Sequence, residues 1–522
     1  MSVKMSKTTK EFLLDQVKQD PGLPRPQPTT SFWQVPPHPT LANKRSSNLP
    51  DRIDVAIIGS GITGCSVAKH TLEISAQSAS EMAMTVTVFE ARTLVSGATG
   101  RNGGLLSSFV PEEFSDLVEH YGVEEAVQLA RFANRNIEEL HELASLSPEL
   151  RELSQARRLR DVVCFSDPGD FAEGKKSWAL YEEHVPEDKG KTEFLSAEEA
   201  AQKYNVRATA GAITFPNGAC WPYRLVTDTW SQLYEQYKSR FSIETETPVE
   251  DITYNVSDAP YPYTLHTPRG NVKAAKIIHA TNGFTGHLLP SLRGIIYPLR
   301  GTMSVQKSTP EFGQHGSSTT WSMVNKRIYD PETDMLEAGT YYGHQNAITD
   351  DIFFGGEKTK LSDLFVADDT QVNAHCQENL ATLLPRYFVK GWQDENSKGG
   401  AAGPEIRAMW AGIMGFTGDR LPLVGPLPAS ATQRGQDGGG GEWIAAGFNG
   451  YGMSLCWACG EAVAKMVLGA DVSDFLPAAL RVTRERLEQP ARRGALDAIL
   501  DMVGAESRAN EDEIMTRYFF SQ

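Results

Sequence analysis

Three glycines near residue 60 are spaced as in sites that bind the pyrophosphate of a dinucleotide. Gly59, Gly61 and Gly64 form the pattern G-x-G-x-x-G directly after the apolar run 55–58. In such a turn the first glycine permits a sharp bend, the second lets the backbone approach the phosphates, and the third lets a helix pack on a strand. The helix N-terminus offers free N–H groups and a positive dipole end. The pattern predicts a dinucleotide site; the alternative is a strand–helix turn that merely needs glycine.

An acidic residue stands where such a site binds a ribose. A second apolar segment, residues 84–89, is predicted to be a strand and ends at Glu90. A carboxylate at this place accepts hydrogen bonds from the adenosine ribose, although its separation from the glycines exceeds the usual roughly 20 residues. We interpret the polar stretch 75–81 as an insertion that lengthens the loop between helix and strand.

A second glycine-rich turn lies far along the chain and repeats the order of strand, turn and helix. It contains Gly447, Gly450 and Gly452, and a helix is predicted at residues 454–468. A helix N-terminus aimed at a ligand suits a group that becomes anionic, such as the N1–C2=O edge of a reduced flavin. A nicotinamide would gain nothing comparable. The turn therefore favours a flavin, and the alternative is a tightly packed strand–helix connection.

The composition restricts the class of protein that positions these turns. The chain has 522 residues, enough for two domains, and its formal net charge of −16 argues against a nucleic-acid partner or an anionic membrane surface. The sequence shows no secretory signal, no membrane-spanning apolar run and no metal-binding spacing of His and Cys, and six cysteines make no disulfide framework. We expect a cytoplasmic protein that acts on a small molecule, and the oligomeric state stays open.

The remaining pattern alternates helical and strand segments. Residues 19–50 are rich in proline and are predicted to form an irregular arm anchored by Phe32 and Trp33, although a disordered tail is equally compatible with residues 1–30. The predicted helices are 111–150, 223–237 and 370–384, and the last 40 residues are charged and helical. The predicted strands are 162–165, 211–215, 241–244, 249–254, 263–266, 276–279 and several within 300–356.

Together these motifs resemble the FAD-dependent glycine/D-amino-acid oxidase-like family, in the branch of γ-glutamylputrescine oxidoreductase and sarcosine oxidase. Besides the two glycine turns and Glu90, the resemblance is carried by S-G-A-T-G-R-N-G-G at 96–104, T-P-V at 247–249, A-T-N-G at 280–283, P-L-R-G at 298–301, G-G at 355–356, W-A-G at 410–412 and T-G-D-R-L-P-L-V-G at 417–425. The order and spacing of so many pieces make it more specific than any single motif.

The resemblance implies an α/β (α+β) fold in which a Rossmann-type FAD-binding domain is interleaved with an antiparallel-sheet substrate domain. The FAD-binding domain would comprise residues 51–110, 222–297 and 405–475, and the substrate domain residues 111–221 and 298–404. The Pro-rich arm, residues 1–50, and a C-terminal helical tail, residues 476–522, would flank them.

The resemblance also implies which residues contact FAD. The glycine turns, the loop 96–104 and the ends of neighbouring strands would hold the ADP half, the isoalloxazine and its pyrimidine edge. The expected cofactor residues are Gly59, Ser60, Gly61, Ile62, Thr63, Gly64, Glu90, Ala91, Arg92, Ala98, Thr99, Arg101, Asn102, Gly103, Gly104, Val249, Thr281, Asn282, Gly283, Trp410, Asp419, Gly447, Asn449, Gly450, Tyr451, Gly452 and Met453.

Four residues are expected as catalytic groups under the same resemblance. Tyr451 lies inside the second turn, Arg101 would lie near the flavin ring, and Tyr342 and His344 belong to a segment where the family's substrate sheet faces the flavin. The alternatives are a structural ion pair for Arg101, and core or surface roles for Tyr342 and His344.

At some positions this sequence differs from the family pattern, and these differences restrict the substrates and the mode of flavin attachment that we expect. In many α-amino-acid oxidases of the family an arginine that clamps the substrate carboxylate follows the W-x-G segment, and in the sarcosine oxidase branch a cysteine bonded to the flavin stands nearly there. Met414 occupies this place and can do neither. The lysine that activates oxygen in that branch has no counterpart within 352–354. Arg407 could replace the clamp but is more simply an ordinary ion-pair residue.

The sequence therefore predicts a flavoenzyme that binds FAD non-covalently at Met414 and oxidises a C–N bond of an amine or a modified amino acid. Hydride transfer to flavin N5 would give an imine that water hydrolyses, with O2 as the expected acceptor and H2O2 as product. One alternative is a flavin-dependent tailoring enzyme of secondary metabolism that acts on a C–C or C–O bond. A remote alternative is a non-enzymatic, flavin-free binding protein like the Rab GDP-dissociation inhibitors.

Overall fold

Two large β-sheets organise the chain. The computed structural model describes residues 5–77, 84–392, 404–435, 441–488 and 494–502. Its strands are β1 (Arg52–Ile58), β2 (Val86–Phe89), β3 (Arg157–Phe165), β4 (Glu193–Leu195), β5 (Gly211–Ala219), β6 (Phe241–Glu244), β7 (Asp251–Tyr254), β8 (Tyr263–Thr267), β9 (Gly270–His279), β10 (Ile296–Gln306), β11 (Thr319–Val324), β12 (Ile328–Asp330), β13 (Met335–Gln345), β14 (Ile352–Lys360), β15 (Ile406–Thr417), β16 (Leu423–Pro426) and β17 (Glu442–Ala446).

Helices cover both sheets. They are α1 (Lys7–Val17), α2 (Ile62–Gln77), α3 (Val110–Tyr121), α4 (Val123–Ala144), α5 (Pro148–Ser154), α6 (Pro168–His184), α7 (Ala197–Tyr204), α8 (Pro222–Gln236), α9 (Thr285–Leu288), α10 (Ala374–Tyr387), α11 (Ala429–Thr432), α12 (Cys456–Val467), α13 (Arg484–Glu488) and α14 (Ala495–Met502). Within the described residues, no helix combines the length and apolar character needed to cross a bilayer.

The first sheet has the parallel centre of a dinucleotide-binding fold. Its order is β16-β17-β9-β1-β2-β6; β17, β9, β1, β2 and β6 run parallel, β16 is antiparallel to β17, and the antiparallel pair β7–β8 extends from β9. β1 is buried from Val55 to Ile58, because α2 packs on one of its faces and side chains of β7 and β8 pack on the other. α2 and α12, the helices that follow the two glycine turns, pack against each other.

The second sheet is mostly antiparallel and has the order β15-β10-β14-β13-β11-β3-β5-β4, with β12 beside β13. β15, which the sequence places in the FAD-binding segments, instead pairs with β10 of this sheet from Thr417 back to Ile406. The carboxyl end of β15 then leads directly into the first sheet through β16. The domain boundaries themselves stay a prediction.

The N-terminal segment packs against the body of the protein. Leu13 and Val17 of α1 share a buried cluster with Ile499 of α14, and the Trp33 ring stacks on Phe353 with centroids 4.0 Å apart. The predicted anchoring at Phe32 and Trp33 is thus confirmed, and the alternative of a disordered tail is wrong for residues 5–30. α1 was not predicted.

One predicted loop differs from the structure, and two segments of the chain lie largely outside the described residues. The stretch 75–81 is not wholly a loop, because α2 continues to Gln77; residues 78–83 lie outside the described residues. The four consecutive glycines at 438–441 lie outside the described residues except for Gly441. Most of the charged C-terminal tail also lies outside the described residues. The helical pattern predicted at 111–150 is divided into α3, α4 and α5, and the other predicted segments correspond to elements whose bounds differ by several residues.

Candidate active site

One cavity of about 580 Å³ is lined by residues of both sheets, of both glycine turns and of the N-terminal segment. This volume lies within the range of roughly 300–1,000 Å³ typical of small-molecule sites. The lining extends along the chain from Gly22 to Met502. The cavity is therefore the place where the predicted cofactor and substrate sites can be compared with the structure.

Two glycine positions of the first turn, Gly59 and Gly64, leave no room for a side chain. Gly59 has a φ of 109°, and a Cβ built on it would lie 2.5 Å from the carbonyl oxygen of Ala280. A Cβ on Gly64 would lie 2.1 Å from the carbonyl oxygen of Gly59. α2 begins at Ile62, inside this turn, so its first N–H groups lie at the cavity end of β1, and that of Ile62 donates to the Thr99 hydroxyl at 2.9 Å. The turn has the form expected of a pyrophosphate cradle.

The Glu90 carboxylate is fixed at the mouth of this cradle. One of its oxygens accepts hydrogen bonds from the Ser60 backbone N–H at 3.2 Å and from the Ser60 hydroxyl at 2.6 Å. The other accepts the backbone N–H of Arg92 at 3.0 Å. Glu90 and Val249 both line the cavity. The position and the preset orientation of the carboxylate fit the ADP half of FAD, whose ribose Glu90 would hold.

Arg101 holds the loop 96–104 in place through hydrogen bonds to protein groups. Its guanidinium donates to the carbonyl oxygens of Ser96, Ala411 and Thr29 at 2.9, 2.7 and 2.6 Å, and its Nε lies 3.6 Å from Asp369. Burial lowers the pKa of Arg101 to about 10, and the Asp369 charge opposes this shift. Arg101 lines the cavity, but its polar atoms are engaged, which favours the structural alternative over a catalytic role.

The second glycine turn is joined to the rest of the cavity by amide side chains. The Asn282 side-chain oxygen accepts the backbone N–H of Gly447 at 3.1 Å, and that of Asn449 accepts the backbone N–H of Thr417 at 2.9 Å. The Tyr451 ring stacks on Phe109 with centroids 4.9 Å apart. Burial, with nearby glutamates, raises the pKa of Tyr451 above its usual value, so its phenol stays protonated. The turn has the geometry expected for the flavin edge.

One face of the second sheet forms the wall opposite the glycine turns. β10 and β15 contribute Tyr297, Leu299, Gly301, Thr302, Met303, Gly412, Ile413, Met414, Phe416 and Thr417 to the cavity, and none of these is charged. Met414 lies between the strand and the turn: its methyl group is 2.8 Å from the position of a Cβ on Gly301, and its sulfur is 3.7 Å from that on Gly450. The place of the family's carboxylate clamp is thus apolar.

Glu357 and Tyr342 form a polar group on this wall. The Glu357 carboxyl accepts hydrogen bonds from the backbone N–H and, at 3.3 Å, the hydroxyl of Thr302, and from the Cys376 thiol at 3.0 Å. Burial raises the pKa of Glu357 to about 7. Burial and the Glu357 charge raise the pKa of Tyr342 to about 12. The Tyr342 ring lies 2.7 Å from the position of a Cβ on Gly103, so it is held against the predicted flavin loop.

Acidic residues also line the end of the cavity near Tyr451. Glu112 lies in the first turn of α3, and Asp161 on β3 is buried with a hydrogen bond from the Ser322 hydroxyl at 3.0 Å. Glu113 forms an ion pair with Arg420. The Glu112 side chain is exposed to the cavity but enclosed by protein, and this burial, together with the charges of Glu113 and Asp161, raises its pKa to about 7.

Most of the predicted cofactor residues line the cavity, as do the catalytic candidates Tyr451, Arg101 and Tyr342. His344 does not line the cavity, and its catalytic role stays a prediction. It shares a sheet face with Tyr342, but Trp33 of the N-terminal segment stacks over it with centroids 6.1 Å apart. Burial and the charge of Arg157 lower the pKa of His344 to about 3, so it remains neutral.

Six predicted cofactor residues support the site without lining it. Trp410 donates its indole N–H to the carbonyl oxygen of Arg101 at 2.8 Å, and Asp419 forms an ion pair with Arg486 at 2.7 Å. The other four are glycines at close approaches of the backbone: Gly64, Gly104, Gly283 and Gly447. Arg407 forms an ion pair with Asp351 at 3.0 Å, which agrees with its interpretation as an ordinary ion-pair residue.

The sequence interpretation missed Glu112, Asp161 and Glu357. The available signal for Glu357 was its place directly after the Gly355–Gly356 pair, whereas Glu112 and Asp161 come from elements far from any recognised motif. Cys456 and Cys459 are free and buried in α12.

Comparisons with known proteins agree with this geometry. Residues 54–466 match the model of a family described as DAO, FAD dependent oxidoreductase. A curated relative, the probable oxidoreductase OrdL of Rhizobium meliloti (strain 1021), is 22% identical over 445 residues, which are 80% of this chain and 83% of that protein.

Solved structures with similar folds come from several enzymes. Glycine oxidase from Geobacillus kaustophilus has a TM-score of 0.59 at 19% identity and covers 83% of this chain and 99% of its own. L-proline dehydrogenase from P. horikoshii has a TM-score of 0.56 at 18% identity, with coverage of 81% and 95%. NikD, an unusual amino acid oxidase essential for nikkomycin biosynthesis, has a TM-score of 0.59 at 15% identity, with coverage of 82% and 98%.

Proposed function

The chain belongs to the family of FAD-dependent oxidoreductases, and from this we propose that it oxidises a C–N bond of an amine that lacks an α-carboxylate, with O2 as acceptor. Membership confirms the family predicted from the sequence motifs and sets aside the flavin-free alternative. FAD, when bound, supplies the two-electron acceptor for this oxidation. The oxidised amine is released as an imine, which water hydrolyses to a carbonyl compound and an amine.

The observation that carries the proposal is the uncharged wall of β10 and β15. An α-amino acid would present its carboxylate to this wall, where the side chain at the clamp position is the thioether of Met414. A carboxylate left without a cation in a buried site is strongly disfavoured. The residues with which these two strands line the cavity carry no charge, which supports a substrate whose reacting carbon carries apolar or neutral groups.

Glu357 is suited to accept a proton from the substrate. An amine is bound from neutral solution mainly as the ammonium ion, and it must lose a proton before its carbon is oxidised. The pKa of about 7 makes Glu357 ionised above neutral pH and able to take up that proton. Tyr342 stays protonated because its pKa is about 12, so its hydroxyl can donate a hydrogen bond.

Anaerobic spectroscopy tests this function. We expect the purified protein to be yellow, and a panel of primary and secondary amines to bleach its visible band faster than the matching α-amino acids. Air should restore the band with formation of H2O2. Bleaching by α-amino acids in preference to amines would contradict the proposed substrate class, and bleaching without reoxidation by air would contradict the proposed acceptor.

We further propose that FAD is held without a covalent bond at the Met414 position, since a thioether offers no nucleophile for such a bond. Acid precipitation should then release the flavin into the supernatant. Cys456 also lines the cavity, and burial raises the pKa of its thiol to about 12. Flavin retained in the precipitate of the wild type but released from Cys456→Ser would show attachment there instead.

A further inference from the structure

A short part of the N-terminal segment, residues 29–34, lies directly against the loop 96–104, and we call it the strap. The Trp33 indole N–H donates to the carbonyl oxygen of Asn102 at 2.6 Å. The Trp33 ring also packs against Gly104, where an added Cβ would lie 3.0 Å from the ring. The strap precedes the residues that match the family model, so the motifs of that model do not account for these contacts.

Gln34, the last residue of the strap, donates to two further carbonyl groups of the loop. Its side-chain amide nitrogen lies 3.0 Å from the carbonyl oxygen of Gly100 and 3.4 Å from that of Ser96. A Cβ on Gly100 would lie only 2.8 Å from the same nitrogen, so the backbone of the loop and the strap are in close contact. Buried carbonyl groups are nearly always hydrogen-bonded, and side chains of the strap supply donors here.

Thr29, the first residue of the strap, joins the loop to the second sheet. Its carbonyl oxygen accepts a hydrogen bond from the Arg101 guanidinium at 2.6 Å, and its hydroxyl accepts the backbone N–H of Ala411 on β15 at 3.0 Å. The same hydroxyl donates to the carbonyl oxygen of Asp369 at 2.9 Å. The strap therefore contacts the loop at both of its own ends, and each contact involves a hydrogen bond.

The loop in turn contacts the first glycine turn. The Thr99 hydroxyl accepts the backbone N–H of Ile62, the first residue of α2, and a Cβ on Gly61 would lie 3.1 Å from the same hydroxyl oxygen. Loop residues on both sides of Thr99 line the cavity. A shift of the loop would therefore alter the pyrophosphate cradle as well as the predicted contacts with the flavin.

We propose that Thr29, Trp33 and Gln34 are positioning residues for FAD, which hold the loop 96–104 in the conformation that binds the cofactor. None of the three is among the residues that line the cavity, so they act through the loop. If FAD binds only the ordered loop, its apparent affinity falls with the fraction of apoprotein in which the loop is ordered. The inference goes beyond the proposed function, because it holds whichever bond the enzyme oxidises.

Titration of the apoprotein with FAD, followed by flavin fluorescence, tests the strap. Gln34→Met removes the amide donors at nearly constant side-chain length, and we expect Kd for FAD to rise about tenfold, the scale of one lost buried hydrogen bond. Gln16→Met is the matched control, because the Gln16 amide donates at 2.7 Å to the carbonyl oxygen of Ser362, outside the loop. An unchanged Kd in Gln34→Met, or an equal rise in both variants, would overturn the proposal.

A second pair of variants separates positioning from stability. Trp33→Phe keeps a ring at this place but removes the indole N–H, and its control is Trp321→Phe, a buried position whose indole N–H donates to the carbonyl oxygen of Tyr204 at 3.4 Å. Both should unfold at lower urea concentration, but only Trp33→Phe should raise Kd for FAD and change the visible band of the bound flavin. Weaker FAD binding in both variants, in proportion to lost stability, would leave the strap a structural role only.

Coupling between two sites is reciprocal, so FAD must also stabilise the strap. We expect the backbone amides of residues 29–34 to exchange hydrogen with solvent faster in the apoprotein than in the FAD-loaded protein. α7, none of whose residues lines the cavity, is the reference and should exchange equally in both. The same change in the strap and in α7 would overturn the coupling. Since neither exchange nor FAD titration uses a substrate, a failure of the proposed amine oxidation would leave both tests valid.

Discussion

Replacing Asp369 by asparagine should destabilise the protein strongly, because one buried carboxylate holds two arginines. Both Asp369 oxygens accept from Arg92 Nη1, at 3.0 and 2.9 Å, and Arg101 Nε lies 3.6 Å away. Asp369 and Arg101 are 1% exposed and Arg92 is 5% exposed as side chains. At an effective dielectric constant of about 20, unit charges at these distances attract by about 4–6 kcal/mol.

The net effect is smaller, because desolvation already offsets much of that attraction. Removing one partner of a buried pair costs about 3–5 kcal/mol, since the other charge is left uncompensated. We expect Asp369→Asn to lower the free energy of unfolding by about this amount and to release FAD earlier, as Arg92 lies beside Glu90 in the cofactor site. Urea unfolding followed by circular dichroism and by flavin fluorescence measures both effects.

The matched control is Asp20→Asn in the N-terminal segment. Asp20 pairs with Arg293 at 2.8 Å and with His287 at 3.1 Å, but its side chain is 42% exposed. An exposed pair contributes only about 0–1 kcal/mol. A loss in Asp369→Asn no larger than in Asp20→Asn would refute the reasoning that Asp369 compensates two buried charges.

Three further changes test the site. Gly59→Ala should abolish FAD binding, because the new Cβ would meet a carbonyl oxygen at 2.5 Å in a backbone with φ of 109°, and flavin content after purification measures this against Gly494→Ala, where no atom lies within 4 Å of an added Cβ. Glu357→Gln should flatten the rise of kcat/KM with pH near pH 7, since the wild-type carboxyl accepts a proton only when ionised; an unchanged pH profile would exclude Glu357 as the proton acceptor. Met414→Arg should retain FAD but shift the ratio of kcat/KM toward amines that carry a carboxylate, and loss of all flavin in that variant would place Met414 in the cofactor site instead.

The parts of the site that follow from local sequence were predictable. Gly59, Gly64 and Glu90 belong to one strand–turn–helix–strand unit, so their spacing alone determined the geometry. The second turn, with Gly447 and Gly450, repeats the same local rule. These short-range patterns, together with their order along the chain, were sufficient to indicate the family and the cofactor.

The parts that depend on long-range pairing were not predictable. Asp161 reaches the cavity only because β3 pairs with β11, and Glu357 only because β14 lies between β10 and β13. The position of His344 was not predictable for the complementary reason: strand alternation places it on the same face as Tyr342, but Trp33 from a distant segment covers it. The residue pattern of a single segment does not show that a side chain from a distant segment packs over it.

The wide spread of the cavity lining along the chain has a consequence for how the enzyme is made. The first glycine turn leaves the ribosome long before the second turn, and the lining residues Ala498 and Met502 emerge later still. Domains fold as their segments emerge. No part of this cofactor site is complete before its later segments are synthesised, so none could retain FAD alone. We therefore infer that the flavin is acquired only after the second turn has been synthesised, and that chains ending before residue 440 accumulate as apoprotein.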